Sequence, residues 1–386
     1  MKTTFKRLFF GCLLAVLPGG AAHAQATFNF SGGTTFTGVT DTIPIRANSP
    51  GGNSIGTISA IVFDPTSQVG GEYNRIYFTN REQTTGTAVG GLYVTDRITE
   101  TVTLIGLQSG TANTNTNPSS LAIDSTGTVY LGRDVSPQLW RVNSPLASPT
   151  FTQMLGNYGT ATTDDDPISI SWVPSTNQVM VFDQGLDTDP PVAVSLVNAG
   201  STSASPSYTT IWTATPAVDN NIRGMFSTFD NYGYLTYAAL PLESGLAAIY
   251  RVDLAGNLQT FLLSGITSSL TLDDSIAVNP LDGSVWLPIN TGGTDRTYYR
   301  VDVAKAALQS PGVYLASTTA EFTATGLNGG QNSVAFSPDG KWLGIAVPDG
   351  ADTIYLLQTK AAVPEPATLG LAGVALLGCV AARRRK

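Results

Sequence analysis

Asp134, Asp183, Asn221, Asp274 and Asn332 each stand where a short β-patterned run begins or ends, and each offers a side-chain oxygen. Asn80, Asp166, Asn290 and Asp349 occupy matching positions. Carboxylates and amide oxygens are what Ca²⁺ takes, about six to eight at a time in flexible geometry. A collar of these oxygens around one mouth would hold such an ion. Asp and Asn also favour turns, because their side chains bond nearby backbone, and that accounts for the same residues without a metal. The adjacent Asp164, Asp165 and Asp166 repel one another and would gain from a cation. A solvated loop is the plainer account of them.

The rest of the catalytic repertoire is narrow. Cys12, His23 and Cys379 all lie in the two terminal segments, so the body between them has neither Cys nor His. That excludes disulfides, thiol nucleophiles, Ser-His-Asp triads and the usual zinc sites. Only Asp, Glu, Lys, Tyr or a metal-bound water is left as a base.

The terminal segments themselves read as addresses. Lys2, Lys6 and Arg7 precede the apolar run LFFGCLLAVL and the small residues GGAAHA, the layout of a secretory signal peptide over residues 1–24. At the other end Pro364, Glu365 and Pro366 introduce an apolar run from Ala367 to Ala382, closed by Arg383, Arg384, Arg385 and Lys386. The positive-inside rule keeps those four charges in the cytoplasm and puts everything before Pro364 outside. Sixteen helical residues rise about 24 Å against roughly 30 Å of hydrocarbon, which makes a short, weak transmembrane anchor. The chain has 20 basic and 28 acidic residues; the ends hold seven basic residues and Glu365, leaving 13 against 27, a net of −14. So acidic a body weighs against nucleic acid as a partner.

The elements that would position a collar recur along the body. LYVTD, LWRVN, VSLVN, IYRVD, YYRVD and IYLLQ share one design and end at Asp96, Asn143, Asn198, Asp253, Asp302 and Gln358. Each alternates as a strand does. Two strands joined by a turn precede each copy, as in SLAIDSTGT then VYLGRD, or SVAFSPDGK then WLGIAV. Pro-Asp-Gly and Ser-Thr-Gly supply the fixed φ and the left-handed residue that tight turns require. A fourth strand follows copies one to five, while copy six reaches the tail without one. The early segment ATFNFSG is expected to supply it and close the ring, which removes exposed sheet edges. The expectation is an all-β, six-bladed β-propeller over residues 27–360, with a seven-bladed ring as the alternative if residues 27–57 form more of a blade. Trp140, Trp172, Trp286 and Trp342 fall inside the strand patterns, where packing between blades is their expected role.

V-P-E-P-A-T followed by a Leu/Gly/Ala run and an Arg-rich end resembles the PEP-CTERM sorting signal of Gram-negative bacteria, here residues 363–386. That resemblance implies a partner, the membrane transpeptidase exosortase, in organisms that make exopolysaccharide. It also implies that the exported body is held at the inner membrane, then processed near Pro-Glu-Pro and released or passed to the cell surface. SVAFSPDGKWLGIAV resembles the strand-turn-strand of lactonase and YncE-like propellers. Similar propellers of the gluconolactonase type hold a metal at the channel mouth and use it to polarise a lactone carbonyl, which implies Asp134, Asp183, Asn221, Asp274 and Asn332 as Ca²⁺ ligands here. The family's glutamate ligand near the start of the ring has no counterpart in this sequence. Two functions follow as expectations: a monomeric, non-catalytic surface or extracellular-matrix binding protein with polysaccharide as a candidate partner, or a calcium-dependent lactonase-like hydrolase.

Overall fold

The computed structural model describes residues 26–360 except 33, 46–57, 81–90, 108–117, 134–137, 157–167, 184–192, 214–231, 237–244, 268–270, 273–274, 293–294, 328–332 and 348–352. Residues 1–24, expected to form a signal peptide, and the sorting segment lie outside the described residues.

The described residues are all-β, and most strands fall where the sequence pattern placed them. β1 (Thr27–Phe30) and β2 (Phe36–Pro44) come first. β3 (Ile58–Phe63) leads through a small hairpin, β4 (Gln68–Val69) and β5 (Glu72–Tyr73), to β6 (Arg75–Asn80), β7 (Gly91–Asp96) and β8 (Val102–Leu107). β9 (Pro118–Ile123), β10 (Val129–Arg133), β11 (Leu139–Asn143) and β12 (Thr150–Leu155) form the next sheet. β13 (Ile168–Val173), β14 (Gln178–Asp183), β15 (Ala193–Asn198) and β16 (Tyr208–Thr213) form the third. β17 (Tyr232–Thr236), β18 (Leu246–Asp253) and β19 (Leu258–Thr267) follow. Then come β20 (Thr271–Leu272), β21 (Ala277–Val278), β22 (Val285–Gly292), β23 (Asp295–Ser310) and β24 (Val313–Thr325). β25 (Ser333–Phe336), β26 (Trp342–Val347) and β27 (Thr353–Thr359) end the body.

Four sheets are four-stranded antiparallel meanders, and the strands from β17 to β24 join in a nine-stranded sheet together with β1. The fusion comes from a parallel pairing of β19 with β24, Thr260 to Leu263 against Val313 to Ala316. A pair of outer strands that would each have left an edge thus cover one another.

Closure differs from the expectation in one respect. ATFNFSG does not complete the last sheet: β1 pairs with the end of β24, Thr27 opposite Thr325 through Phe30 opposite Phe322. β2 instead pairs antiparallel with β27, Phe36 opposite Thr359 through Pro44 opposite Thr353. The cause is the length of β24. Its last residues run past β19, and Phe28 and Phe30 cover that edge by packing on Phe322 at 6.0 and 5.4 Å.

The apolar interior is divided among clusters that each span consecutive sheets. Tyr77 and Val94 pack with Val129 and Val142, and Tyr130 with Ile170 and Val181. Phe182 packs with Tyr250, and Trp286 with Leu343 and Tyr355. Ile61 and Phe78 meet Trp342 and Ile354, so the last sheet returns to the first. The sheets therefore stand around a channel as the blades of a propeller do. Among the described residues, the turns joining first to second and third to fourth strands lie at one end, hereafter the turn end; the opposite ends of those strands mark the far end.

Two glycines show what the inter-sheet contacts demand. Gly256, in the β18–β19 turn, has φ +84°, and a Cβ there would stand 2.0 Å from the Ile211 carbonyl oxygen of the preceding sheet. Gly245 has φ +64° with open space around it. Gly245→Ala should cost only the left-handed penalty, about 1–2 kcal/mol. Gly256→Ala should cost distinctly more, since backbone must also move; urea midpoints of the two variants measure the difference.

Candidate functional site

The innermost strands β3, β9, β13, β21 and β25 line a cavity of about 390 Å³. Equivalent positions build it in layers. Ile61, Leu121, Ile170, Ile276 and Val334 form an aliphatic ring. Nearer the turn end stand Phe63, Ile123, Trp172, Val278 and Phe336, with Trp172 stacked on Tyr130 at 5.4 Å. Pro65, Ser125, Pro174, Pro280 and Pro338 make the rim. The volume falls at the low end of the roughly 300–1,000 Å³ typical of ligand pockets, and the walls suit an apolar group.

An innermost strand leaves one row of backbone groups unpaired by its own sheet. Serines answer part of that demand. Ser120, Ser169, Ser275 and Ser333 each precede the rim residue by five positions and are buried. The Ile61 amide donates to Ser333 Oγ at 3.1 Å, and the Val334 amide donates to Ser275 Oγ at 2.9 Å. Each bond joins one sheet to its neighbour across the channel wall.

The rim carboxylates are occupied by their own turns. Asp124 Oδ1 accepts from the Thr126 amide (2.8 Å), Thr126 Oγ1 (2.7 Å) and the Thr128 amide (3.0 Å), while Tyr130 Oη donates to Oδ2 at 3.3 Å. Asp64 Oδ1 accepts from the Thr66 amide and hydroxyl, and Asp64 Oδ2 pairs with Arg75 Nε at 2.9 Å. Burial, and then the neighbouring Asp124, push the Tyr130 phenol far above its ordinary value; burial and Asp64 do the same to Tyr77. Neither phenol can serve as a base near neutrality.

Of the five residues expected to hold Ca²⁺, Asp134, Asn221, Asp274 and Asn332 lie outside the described residues. Asp166 and Asp349, and the run Asp164 to Asp166, lie outside them too. Asp183 ends β14 at the far end, with its backbone opposite Ile168 and Ala193. Asn80 has the equivalent place at the end of β6 and is fully buried, with Oδ1 accepting from the Gly91 amide at 2.7 Å. That bond uses the side chain to close the β6–β7 connection, which is the turn role of an asparagine. Among the described residues no three His, Cys, Asp or Glu side chains gather as a metal centre. Sequence reasoning missed the apolar cavity at the opposite end; the one signal for it was the serine five residues before four of the five rim positions.

The PEP-CTERM protein-sorting motif matches residues 362–386, so the C-terminus is a sorting signal of that type. A comparison with curated proteins finds no relative. Among solved structures the chain is similar to a streptogramin B lyase (12% identity, 80% of this chain and 95% of that one, TM-score 0.49). It is also similar to virginiamycin B lyase from Staphylococcus aureus (12%, 87% and 99%, TM-score 0.44). The calcium-binding protein regucalcin from Agrobacterium tumefaciens gives 15% identity over 80% and 92%, with a TM-score of 0.45. Likenesses at this level carry no argument about chemistry.

Ser333→Ala leaves the buried Ile61 amide without its acceptor, which should cost about 1–3 kcal/mol. Chemical denaturation reads this directly. Acid should weaken the fold through its turn carboxylates. At Asp96, burial raises the pKa, but bonds from Thr99, Asn74 and Ile98 together outweigh it and leave it below 3.8. Asp253 and Asp339 are lowered in the same way by bonds within their turns. A depressed folded-state pKa gives stability that is complete above the unfolded value and lost as pH falls through the folded one. Urea midpoints should therefore hold from pH 7 to about 5 and fall below about pH 4, less steeply in Asp96→Asn.

Proposed function

We propose that this chain is an exported six-bladed β-propeller, residues 27–360, that the PEP-CTERM route delivers to the cell surface or extracellular matrix. There it acts as a non-catalytic binding or scaffold protein, with polysaccharide as its candidate ligand. The observation that carries this reading is the sorting motif at 362–386, set immediately behind a body whose last strand, β27, is paired with its second, β2. The six blades are supported by the succession of sheets beginning with β3, β9, β13, β17, β20 with β21, and β25. Polar, acidic loops and a body without Cys or His suit an oxidising, extracellular setting.

Fractionation of the producing bacterium tests the proposal. The tagged protein should lose its tail and appear in the envelope or matrix, while Glu365→Ala should hold it at the inner membrane. Retention of the unaltered protein in the inner membrane alone would overturn the proposed destination. Thermal unfolding in calcium and in chelator separates this function from a calcium-dependent lactonase-like hydrolase. The scaffold proposal expects one midpoint in both. A site formed by Asp134, Asp183, Asn221, Asp274 and Asn332 would raise stability by about 2.7 kcal/mol at a hundredfold excess of calcium over Kd.

A further inference from the structure

The tail leaves the body at a defined place. β27 ends at the turn end, where the Thr359 amide donates to Lys341 O at 2.8 Å and the Lys360 amide to Thr35 O at 2.8 Å. Lys341 belongs to the turn between β25 and β26, beside the Pro338 rim of the cavity. Only residues 361–366 separate Lys360 from the apolar run that starts at Ala367. Seven peptide steps reach at most about 25 Å. A body of this length is about 50 Å across, by the usual scaling of radius with chain length. So short a tether cannot pass around the body to let the far end meet the membrane.

The surface at that end has a matching character. Among the described residues eight large apolar side chains are exposed, and six of them lie in or beside turn-end connections: Val69, Ile98, Leu146, Tyr208, Leu281 and Leu308. Leu281 and Leu308 are the most exposed, at 65% and 64%. The other two, Val39 and Leu104, sit within outer strands.

We propose that the turn end, with its apolar side chains and the mouth of the apolar cavity, is a membrane-facing surface that rests on the inner-membrane lipid while the tail is attached. The proposal rests on the reading of residues 363–386 as a membrane anchor. The partner is the lipid surface itself, with Ile98, Leu281 and Leu308 placed at the headgroup level, and cleavage of the tail frees this face.

Site-directed fluorescence quenching tests it in residues 25–386, the chain without its signal peptide and with the tail attached, with Cys379 replaced by alanine. Single probes are introduced by Ile98→Cys, Leu281→Cys, Leu308→Cys and, at the exposed far end, Thr213→Cys. The chain is reconstituted into phosphatidylethanolamine and phosphatidylglycerol vesicles carrying a headgroup-attached quencher. The three turn-end probes should be quenched several-fold more than Thr213→Cys, and the difference should vanish when the tail is cleaved. Equal quenching at both ends of a chain that floats with the vesicles overturns the orientation alone. A chain that does not float overturns the anchor reading and the orientation with it.

Discussion

The pairing of β2 with β27 is the joint on which the ring depends, because it links a strand near the start of the body to the last one. Several independent contacts hold it. Ile43 and Ile45 are fully buried against the first sheet, each removal from water contributing about 1.5–3 kcal/mol. Arg97 adds an ion pair to Glu72 at 2.7 Å, a longer one to Asp41 at 3.8 Å, and a stack over Trp342 at 5.1 Å. Partly exposed pairs of this kind contribute about 0–1 kcal/mol, so the buried isoleucines dominate and the arginine fixes register. Nearby, buried Glu321 accepts from both the amide and the hydroxyl of Thr35, and Lys360 Nζ donates to Thr34 O at 2.7 Å.

The channel depends on that joint as well. Its wall is a set of innermost strands, and the serine bonds between them have a defined span only while the sheets stay in register. Ser333 reaching Ile61 is the bond that crosses from the last sheet to the first. The same crossing is packed tightly: a Cβ on Gly344 would stand 3.1 Å from Ile61 Cδ1 and 3.3 Å from the Phe63 ring.

Most strands were legible because they alternate and are punctuated by Pro, Asp and Gly. The fourth strands expected after copies three and five are β16, YTTIWT, and the start of β24, VYLAST. What escaped was pairing between sheets. The parallel union of β19 with β24 depends on the 16 residues of β23, whose register against β24 shifts between Asp302 and Ala307. No local pattern announces a partner so distant. β2 was hidden for a different reason: FTGVTDTIP is rich in Thr and Gly, and a strand at the outer edge of its sheet keeps a mixed exposure that blurs the alternation. The oxygen collar was inferred from residue type alone. Asn80 shows why type is insufficient there, since its amide oxygen is consumed in closing a connection.

The order of strands in the closing joint also has a consequence in time. The sorting motif implies export, and a chain that crosses a membrane N-terminus first delivers β2 near the start and β27 at the very end. Until then the last sheet lacks both its third strand and a reason to hold its fourth. The wait itself costs little, because loop-closure entropy grows by only about 0.6 kcal/mol for each doubling of length. Ring closure therefore coincides with the emergence of Lys360, just ahead of the Pro-Glu-Pro stretch. Closure of the body thus waits on the strand that immediately precedes the sorting signal.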